Sequence, residues 1–184
     1  DLDWSVDLDT QLTAGVGGDG DTVFVGTAEG EVVALAREDG EERWRRDVGG
    51  ELLAPPAGGS DRVIVRTVDG RLIAMSADDG EPEWTFRSDV PSLSLRGNGA
   101  PLRVPGGILV GLDDGRLAAL SERNGEALWQ TTIAEPSGRS PVERMVDIDG
   151  AIGLGRNVAY AVTYNGEIAQ VEPQRGNVQW SRAM

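Results

Sequence analysis

Five tryptophans recur at nearly regular intervals along the chain, and this spacing constrains the fold more than any other feature. They are Trp4, Trp44, Trp84, Trp129 and Trp180, separated by 40, 40, 45 and 51 residues. Self-similarity at a fixed period predicts a repeat architecture, because each repeat forms one supersecondary unit that packs on the next. An interval of about 40 residues is typical of four-stranded propeller blades.

Two glycines at fixed offsets accompany each of the last four tryptophans. One glycine lies four residues before the tryptophan, and the other lies ten residues before that glycine. The pairs are Gly30 and Gly40, Gly70 and Gly80, Gly115 and Gly125, and Gly166 and Gly176. Ala34, Ala74 and Ala119 share one further position, where the fourth repeat has Gln170.

The first repeat indicates the secondary structure that this frame encodes. Residues 23–25 and 32–35 are short β-rich runs, and Asp39-Gly40 predicts a hairpin turn before the strand that carries Trp44. Residues 12–16 are a candidate first strand. Gly15–Gly20 matches a dinucleotide-binding pattern, but a strand pattern follows it where that site needs a helix, so we interpret these glycines as a turn.

Four strands in about 40 residues, with no helical stretch between them, predict an all-β fold. We expect a β-propeller of four-stranded antiparallel blades, with about four blades of a larger propeller present; a closed four-bladed ring is the alternative. The predicted blades are 11–50, 51–90, 91–135 and 136–184, and residues 1–10 are an outer strand of a preceding blade. Trp44, Trp84, Trp129 and Trp180 are structural repeat residues, each indole facing a small Ala or Gly of the next blade.

Composition excludes several kinds of active site. The sequence has no Cys and no His, and all 17 basic residues are Arg. A Ser-His-Asp triad, a Cys- or His-ligated zinc and a P-loop lysine are therefore impossible within it. The net charge of −14 disfavours nucleic acid and anionic membranes as partners. We expect no catalytic residue, no metal site and no cofactor.

The repeat resembles the pyrroloquinoline-quinone (PQQ) repeat, which has Ala, Gly and Trp at these spacings. Quinoprotein dehydrogenases and non-enzymatic propellers both carry it, so the insertions distinguish them. Relative to a period of 40, the third repeat has 5 extra residues and the fourth has 11. The insertions lie in DVPSLSLRGNGAP, residues 89–101, and AEPSGRSPVERMVDIDG, residues 134–150; we call them the first and second loops.

The first loop, with its unusual string from Pro91 to Gly97, resembles the corresponding loop of the BamB family, propeller lipoproteins of the bacterial outer-membrane β-barrel assembly (BAM) machine. Residues 143–149 of the second loop resemble that family too. The resemblance implies an eight-bladed propeller at the periplasmic face of the outer membrane, held there by a lipidated Cys that this sequence does not contain. It implies binding to BamA through its POTRA domains, and no cofactor. Unfolded outer-membrane proteins are a further candidate partner.

The family's partner-binding residues carry over to Leu93, Leu95 and Arg96 in the first loop, and to Asp147 and Asp149 in the second. Leucines two positions apart share one face of an extended segment, so with an adjacent Arg they form a plausible binding hot spot. The leucines could instead fold under the loop as local core. The aspartates could be solvated turn residues, or could anchor Arg96 and shape the loop.

Three functions remain open from the sequence. The first is a non-catalytic scaffold of outer-membrane protein assembly, which the two loops favour. The second is a generic protein-binding propeller, for which the first loop would have no part in binding BamA. The third is a piece of a PQQ-dependent dehydrogenase, which the absence of adjacent cysteines disfavours.

Overall fold

A computed structural model describes residues 3–91, 93, 95 and 99–184. These residues form sixteen β-strands and no helix, so the predicted all-β fold is confirmed. No helix in this part of the chain is long and apolar enough to cross a membrane.

The strands form four four-stranded sheets, and in each sheet the strands lie side by side in chain order. The first sheet contains β1 (Gly17–Asp19), β2 (Thr22–Gly26), β3 (Glu31–Ala36) and β4 (Glu42–Asp47). The second contains β5 (Ala57–Gly58), β6 (Arg62–Arg66), β7 (Arg71–Ser76) and β8 (Pro82–Arg87). The third contains β9 (Leu102–Val104), β10 (Gly107–Gly111), β11 (Arg116–Leu120) and β12 (Ala127–Thr132). The fourth contains β13 (Gly153–Gly155), β14 (Val158–Val162), β15 (Glu167–Val171) and β16 (Val178–Ala183).

The chain divides into two compact units, residues 1–85 and 86–184, and each has its own core. In the first unit, Phe24, Val32 and Met75 belong to one buried cluster that joins the first two sheets. In the second unit, Leu109 and Ala169 belong to a cluster that joins the last two sheets. Each blade therefore buries a face against a neighbour within its unit, which a single four-stranded sheet cannot do alone.

Local chemistry places the hairpin between the third and fourth strand of each blade. The side chains of Asp39, Asp79 and Asn124 accept hydrogen bonds from the backbone N–H groups two residues later, at 3.0, 3.2 and 3.3 Å. Such turns suit Asp and Asn, whose short side chains mimic a backbone acceptor. The fourth repeat has Arg175 at this position, which has no side-chain acceptor.

The tryptophan of one blade packs on the hairpin of the following blade. In β4, the Trp44 Nε1–H donates to the carbonyl of Ala77 at 2.8 Å. A Cβ at Gly80 would lie 2.6 Å from Cε3 of that indole, and the φ of Gly80 is +72°. Only glycine combines this backbone angle with so close an approach of a ring.

The same joint recurs in both units. Trp129 Nε1–H donates to the carbonyl of Pro173 at 3.0 Å, and its ring lies on Gly176. Trp4 Nε1–H donates to the carbonyl of Arg37 at 2.8 Å, and its ring lies on Gly40. The indole thus lies on a glycine of the neighbouring hairpin.

The repeated alanine lies beside the tryptophan of its own blade, and not under the indole of a neighbouring blade. Ala34 is the cross-strand partner of Trp44 within the same sheet, and Ala119 is the partner of Trp129. A β-bulge follows each of these pairs, so one extra residue precedes the tryptophan on the outer strand. Bulges bend a strand and redirect its side chains, which is how the indole is turned toward the neighbour.

The predicted first strand at 12–16 was wrong in position. The strand is β1, and Leu12 makes only an isolated bridge to Thr27. A Cβ at Gly17 would overlap the carbonyl oxygen of Pro56 in the next blade. Gly17 and Gly18, which we interpreted as turn residues, therefore lie in β1. Glycine is needed at position 17 because the backbones of neighbouring blades come too close there for any side chain.

Residues 3–10 form no strand in the structure, although Trp4 occupies the joint described above. A strand needs a hydrogen-bonded partner, and none of the described residues pairs with this segment. The assignment of residues 1–10 to an outer strand, like the blade boundaries, stays a prediction.

We predict that Trp44→Ala lowers the free energy of unfolding by about 3–5 kcal/mol, because it removes a buried ring and leaves a cavity on Gly80. Trp44 is 7% exposed, whereas Trp180, the matched control, is 42% exposed. Urea denaturation followed by circular dichroism would measure both variants. Equal losses for Trp44→Ala and Trp180→Ala would contradict the role of the joint.

Candidate protein-binding site

The two inserted loops meet in the unit formed by residues 86–184. The first loop leads into β9, and the second connects β12 to β13. A Cβ at Gly99 would lie 2.6 Å from the carbonyl oxygen of Gly150, so the two backbones are in direct contact there. The loops therefore form one surface, beside the turn between β10 and β11.

The backbone of the second loop is fixed where it passes that turn. Ile148 N–H donates to the carbonyl of Leu112 at 3.1 Å, and Tyr164 N–H donates to the carbonyl of Asp147 at 2.9 Å. The Ile148 side chain is 1% exposed and fills the space above Gly111, where a Cβ would overlap it. Residues 147–148 thus join the third and fourth sheets and leave Asp147 little freedom.

Asp147 links the second loop to the first. Its Oδ1 accepts a hydrogen bond from the backbone N–H of Leu95 at 2.9 Å, and the residue is only 1% exposed. Because the bond is buried, losing it would leave the Leu95 N–H without its acceptor. In this geometry Asp147 holds the backbone of the first loop at Leu95, while the predicted anchoring of Arg96 lies outside the described residues.

The leucines of the first loop differ in exposure. Leu93 is 43% exposed, and Leu95 is half-buried. Exposed leucines are common singly, but Leu93 stands at the edge of a cleft of about 240 Å³. The cleft is lined by Pro91, Leu93, Asp113, Asp114, Pro136, Pro141, Arg144, Met145, Val146 and Asp147. Six of these ten residues are apolar and four are charged, a composition that suits an apolar anchoring side chain bordered by polar groups.

A tight turn at residues 139–144 forms the outer part of the second loop. Glu143 Oε2 accepts backbone N–H groups from Arg139 at 2.6 Å and Ser140 at 3.1 Å, and Ser140 Oγ accepts the N–H of Glu143 at 3.2 Å. These backbone donors hold the pKa of Glu143 below its usual range. The turn is therefore preorganised near neutral pH.

Of the two remaining predicted site residues, Asp149 and Arg96, the structure describes only the first. Asp149 is half-buried, and its carbonyl packs on Gly99. Arg96 lies outside the described residues. Direct contact of any of the five residues with a partner stays a prediction.

The sequence reasoning missed Glu143, although a signal for it was present. Ser140-Pro141-Val142-Glu143 is the S-x-x-E pattern of a capping box, with proline at the position where an N–H is not needed. The cleft residues Met145 and Val146 had no comparable signal, since their burial depends on how the loop folds back. Among the residues that the structure describes, no group of three His, Cys, Asp or Glu could hold a metal ion.

We predict that Asp147→Ala loosens the first loop without unfolding the blade. Removing the acceptor leaves the Leu95 N–H unsatisfied at a cost of about 1–3 kcal/mol, so amide hydrogen exchange at Leu95 should accelerate by about 10-fold or more. The amide of Ala119, in the core strand β11, reports any global change. Asp149→Ala is the matched control in the same loop. Unchanged, slow exchange at Leu95 in Asp147→Ala would refute the role of the Asp147–Leu95 hydrogen bond.

Comparisons with known proteins agree on the family. The sequence pattern of the family described as "Outer membrane protein assembly factor BamB" matches residues 2–184. Proteins of that name from Xanthomonas campestris and Escherichia coli are 44% and 39% identical over 172 and 173 residues, 94% of this chain in each case. The chain spans 42% and 44% of the length of these two relatives, so it covers less than half of each.

Solved structures show the same blades. The crystal structure of BamB from Moraxella catarrhalis matches with a TM-score of 0.90 at 29% identity, covering 96% of this chain and 54% of that one. A quinohemoprotein alcohol dehydrogenase from Pseudomonas putida matches with a TM-score of 0.78 at 18% identity, over 100% of this chain and 36% of that one, which shows a shared fold alone. Because the family pattern covers nearly the whole chain, this protein belongs to the BamB family of outer membrane protein assembly factors.

Proposed function

We propose that this chain is part of a non-catalytic scaffold subunit of the BAM complex, which binds BamA through its POTRA domains and assists the insertion of outer-membrane β-barrel proteins. The proposal places the protein at the periplasmic face of the outer membrane, attached through a lipid anchor outside this sequence. Its support is the family membership, together with the name "assembly factor" carried by the relatives.

The observation that carries the proposal is the surface formed by the two loops. Leu93 exposes 43% of its surface beside the cleft, and the cleft walls are drawn from both loops. Apolar side chains around a pocket that a partner can fill are typical of interface hot spots. The backbone of the second loop is fixed by hydrogen bonds at residues 147–148, and such fixed segments lose less ordering entropy on binding.

Each residue has a distinct part in this proposal. Leu93 contacts the partner directly, because it is the exposed leucine of the pair. Leu95 and Asp147 hold the loop in shape through their hydrogen bond. Met145 and Val146, which are 7% and 2% exposed, form the floor of the cleft. The proposed roles of Arg96 and Asp149 rest on the family resemblance alone.

We predict that Leu93→Glu weakens binding to purified BamA POTRA domains by about 10-fold or more, because a charge then replaces an apolar side chain that the partner would remove from water. Isothermal titration calorimetry with this chain would measure the affinity. The matched control is Leu128→Glu, since Leu128 is 57% exposed on the outer strand β12.

Two results would count against the proposal. Equal affinities for the chain and for Leu93→Glu would remove the loop from the interface. No binding by a chain shown to be folded by circular dichroism would favour the generic propeller instead.

A further inference from the structure

The fourth sheet has one buried face and one open face. Ala159, Ala161 and Ala169 belong to the core that joins it to the third sheet. On the opposite face, Val162 and Trp180 are 38% and 42% exposed. An apolar sheet face of this kind is stable in water only in part, because a four-stranded blade normally buries both of its faces.

The first sheet shows what covers the equivalent face elsewhere in the chain. Phe24, Ala34 and Trp44 form one cross-strand row there, and all three are buried in the core shared with the second sheet. The equivalent row of the fourth sheet consists of Tyr160, Gln170 and Trp180. The open face is therefore the one on which a propeller blade places its neighbour.

An ion pair lies beside the joint between the first and second sheets. Arg46, two residues after the tryptophan, places Nη2 at 3.1 Å from Oε1 of Glu81, the residue after the hairpin glycine. Between the third and fourth sheets, Thr131 occupies the position of the arginine and its Oγ1–H donates to the carbonyl of Gly176 at 2.6 Å. The ion pair therefore distinguishes one joint from another, whereas the indole does not.

The two halves of this ion-paired joint each occur twice in the sequence. The strand pattern Trp-x-Arg occurs at Trp44–Arg46 and Trp180–Arg182, and the hairpin pattern Asp-Gly-Glu occurs at Asp39–Glu41 and Asp79–Glu81. One strand and one hairpin are joined to each other in the structure. Of the other two, the side chains of Arg182 and Glu41 are exposed, and neither forms an ion pair with any residue that the structure describes.

The hairpin of Glu41 is covered by a short segment of the chain. Trp4 lies on Gly40 and packs against a buried cluster of the first sheet. Residues 3–10 form no strand, so a few side chains cover a face that a whole sheet covers elsewhere. Val6 stands two residues after this tryptophan, so the segment brings no cation to Glu41.

We propose that the open face of the fourth sheet binds the first sheet of a second copy of this chain. Trp180 takes the place of Trp4 on Gly40 of the other copy, and Arg182 pairs with Glu41 beside it. Each chain contributes four sheets. Two copies therefore supply about eight, the usual upper limit for a propeller, so we expect the assembly to be a dimer.

Apolar burial and charge have separate parts in this contact. Tyr160, whose ring centroid lies 6.3 Å from that of Trp180, and Val162 supply apolar surface for the second copy to cover. The Arg182–Glu41 pair selects this hairpin, because a like charge in the same place disfavours a wrong one. Since one tryptophan replaces another on the same glycine, the net gain is modest and the association depends on concentration.

Sedimentation velocity of the 184-residue chain over a range of concentrations measures the self-association. Arg182→Glu and Glu41→Arg each place like charges across the contact, so each should weaken the dimer by about 10-fold or more. The variant that carries both substitutions has opposite charges again and should regain most of the affinity. Arg139→Glu, at an exposed position in the second loop, is the matched control because it changes the net charge as Arg182→Glu does.

Trp4→Ala tests the displacement of the covering segment. It leaves Gly40 open to Trp180 of the second copy, so the dimer should strengthen several-fold. A contact elsewhere on the chain would not respond in this direction. Circular dichroism verifies that each variant is folded before its association is compared.

Three results would overturn the proposal. One is a folded, unmodified chain that stays monomeric at every concentration. Another is association that Arg182→Glu and Arg139→Glu weaken equally, or that the double variant fails to restore. The third is a dimer that Trp4→Ala leaves unchanged or weakens, since Trp180 would then not compete for Gly40.

Discussion

The fold depends on the contact between an indole and a glycine of the next hairpin. Trp44 on Gly80 and Trp129 on Gly176 each combine ring packing with a hydrogen bond from Nε1–H to a backbone carbonyl. The ring buries apolar area, while the hydrogen bond satisfies the only polar atom of the side chain. Because the glycine has no side chain, the ring reaches the backbone itself, and neighbouring sheets close together without a gap.

This joint leaves the opposite end of the sheets available for binding. The hairpins that receive the indoles connect the third and fourth strands of a blade, whereas the inserted loops connect one blade to the next. Adjacent connections of an antiparallel sheet lie at opposite ends, so the packing joints and the inserted loops occupy separate places. The loops can therefore lengthen, as the second loop has, with little consequence for the core.

The sequence was sufficient for the architecture and insufficient for the detailed shape of the site. The spacing of Gly80, Trp84 and their counterparts predicts four-stranded blades because these glycines and tryptophans are the residue types that form the joint. The shift of the first strand to Gly17 could not be predicted, since it arises from the approach of Pro56 across blades. The burial of Asp147 likewise depends on residues far away in the sequence. The Ser140-x-x-Glu143 pattern, in contrast, is sufficient by itself to predict the turn that it forms.

The joint is chemically the same at the three places described above, so it does not specify which blade packs on which. Trp4, Trp44 and Trp129 each meet a glycine with a positive φ and donate to a backbone carbonyl, so none of these contacts discriminates one neighbour from another. The order of the blades must then be imposed by chain connectivity and by residues that differ between repeats. During synthesis, each new blade has an acceptable but incorrect partner in any other exposed blade, so residues that differ between repeats are the safeguard against misassembly.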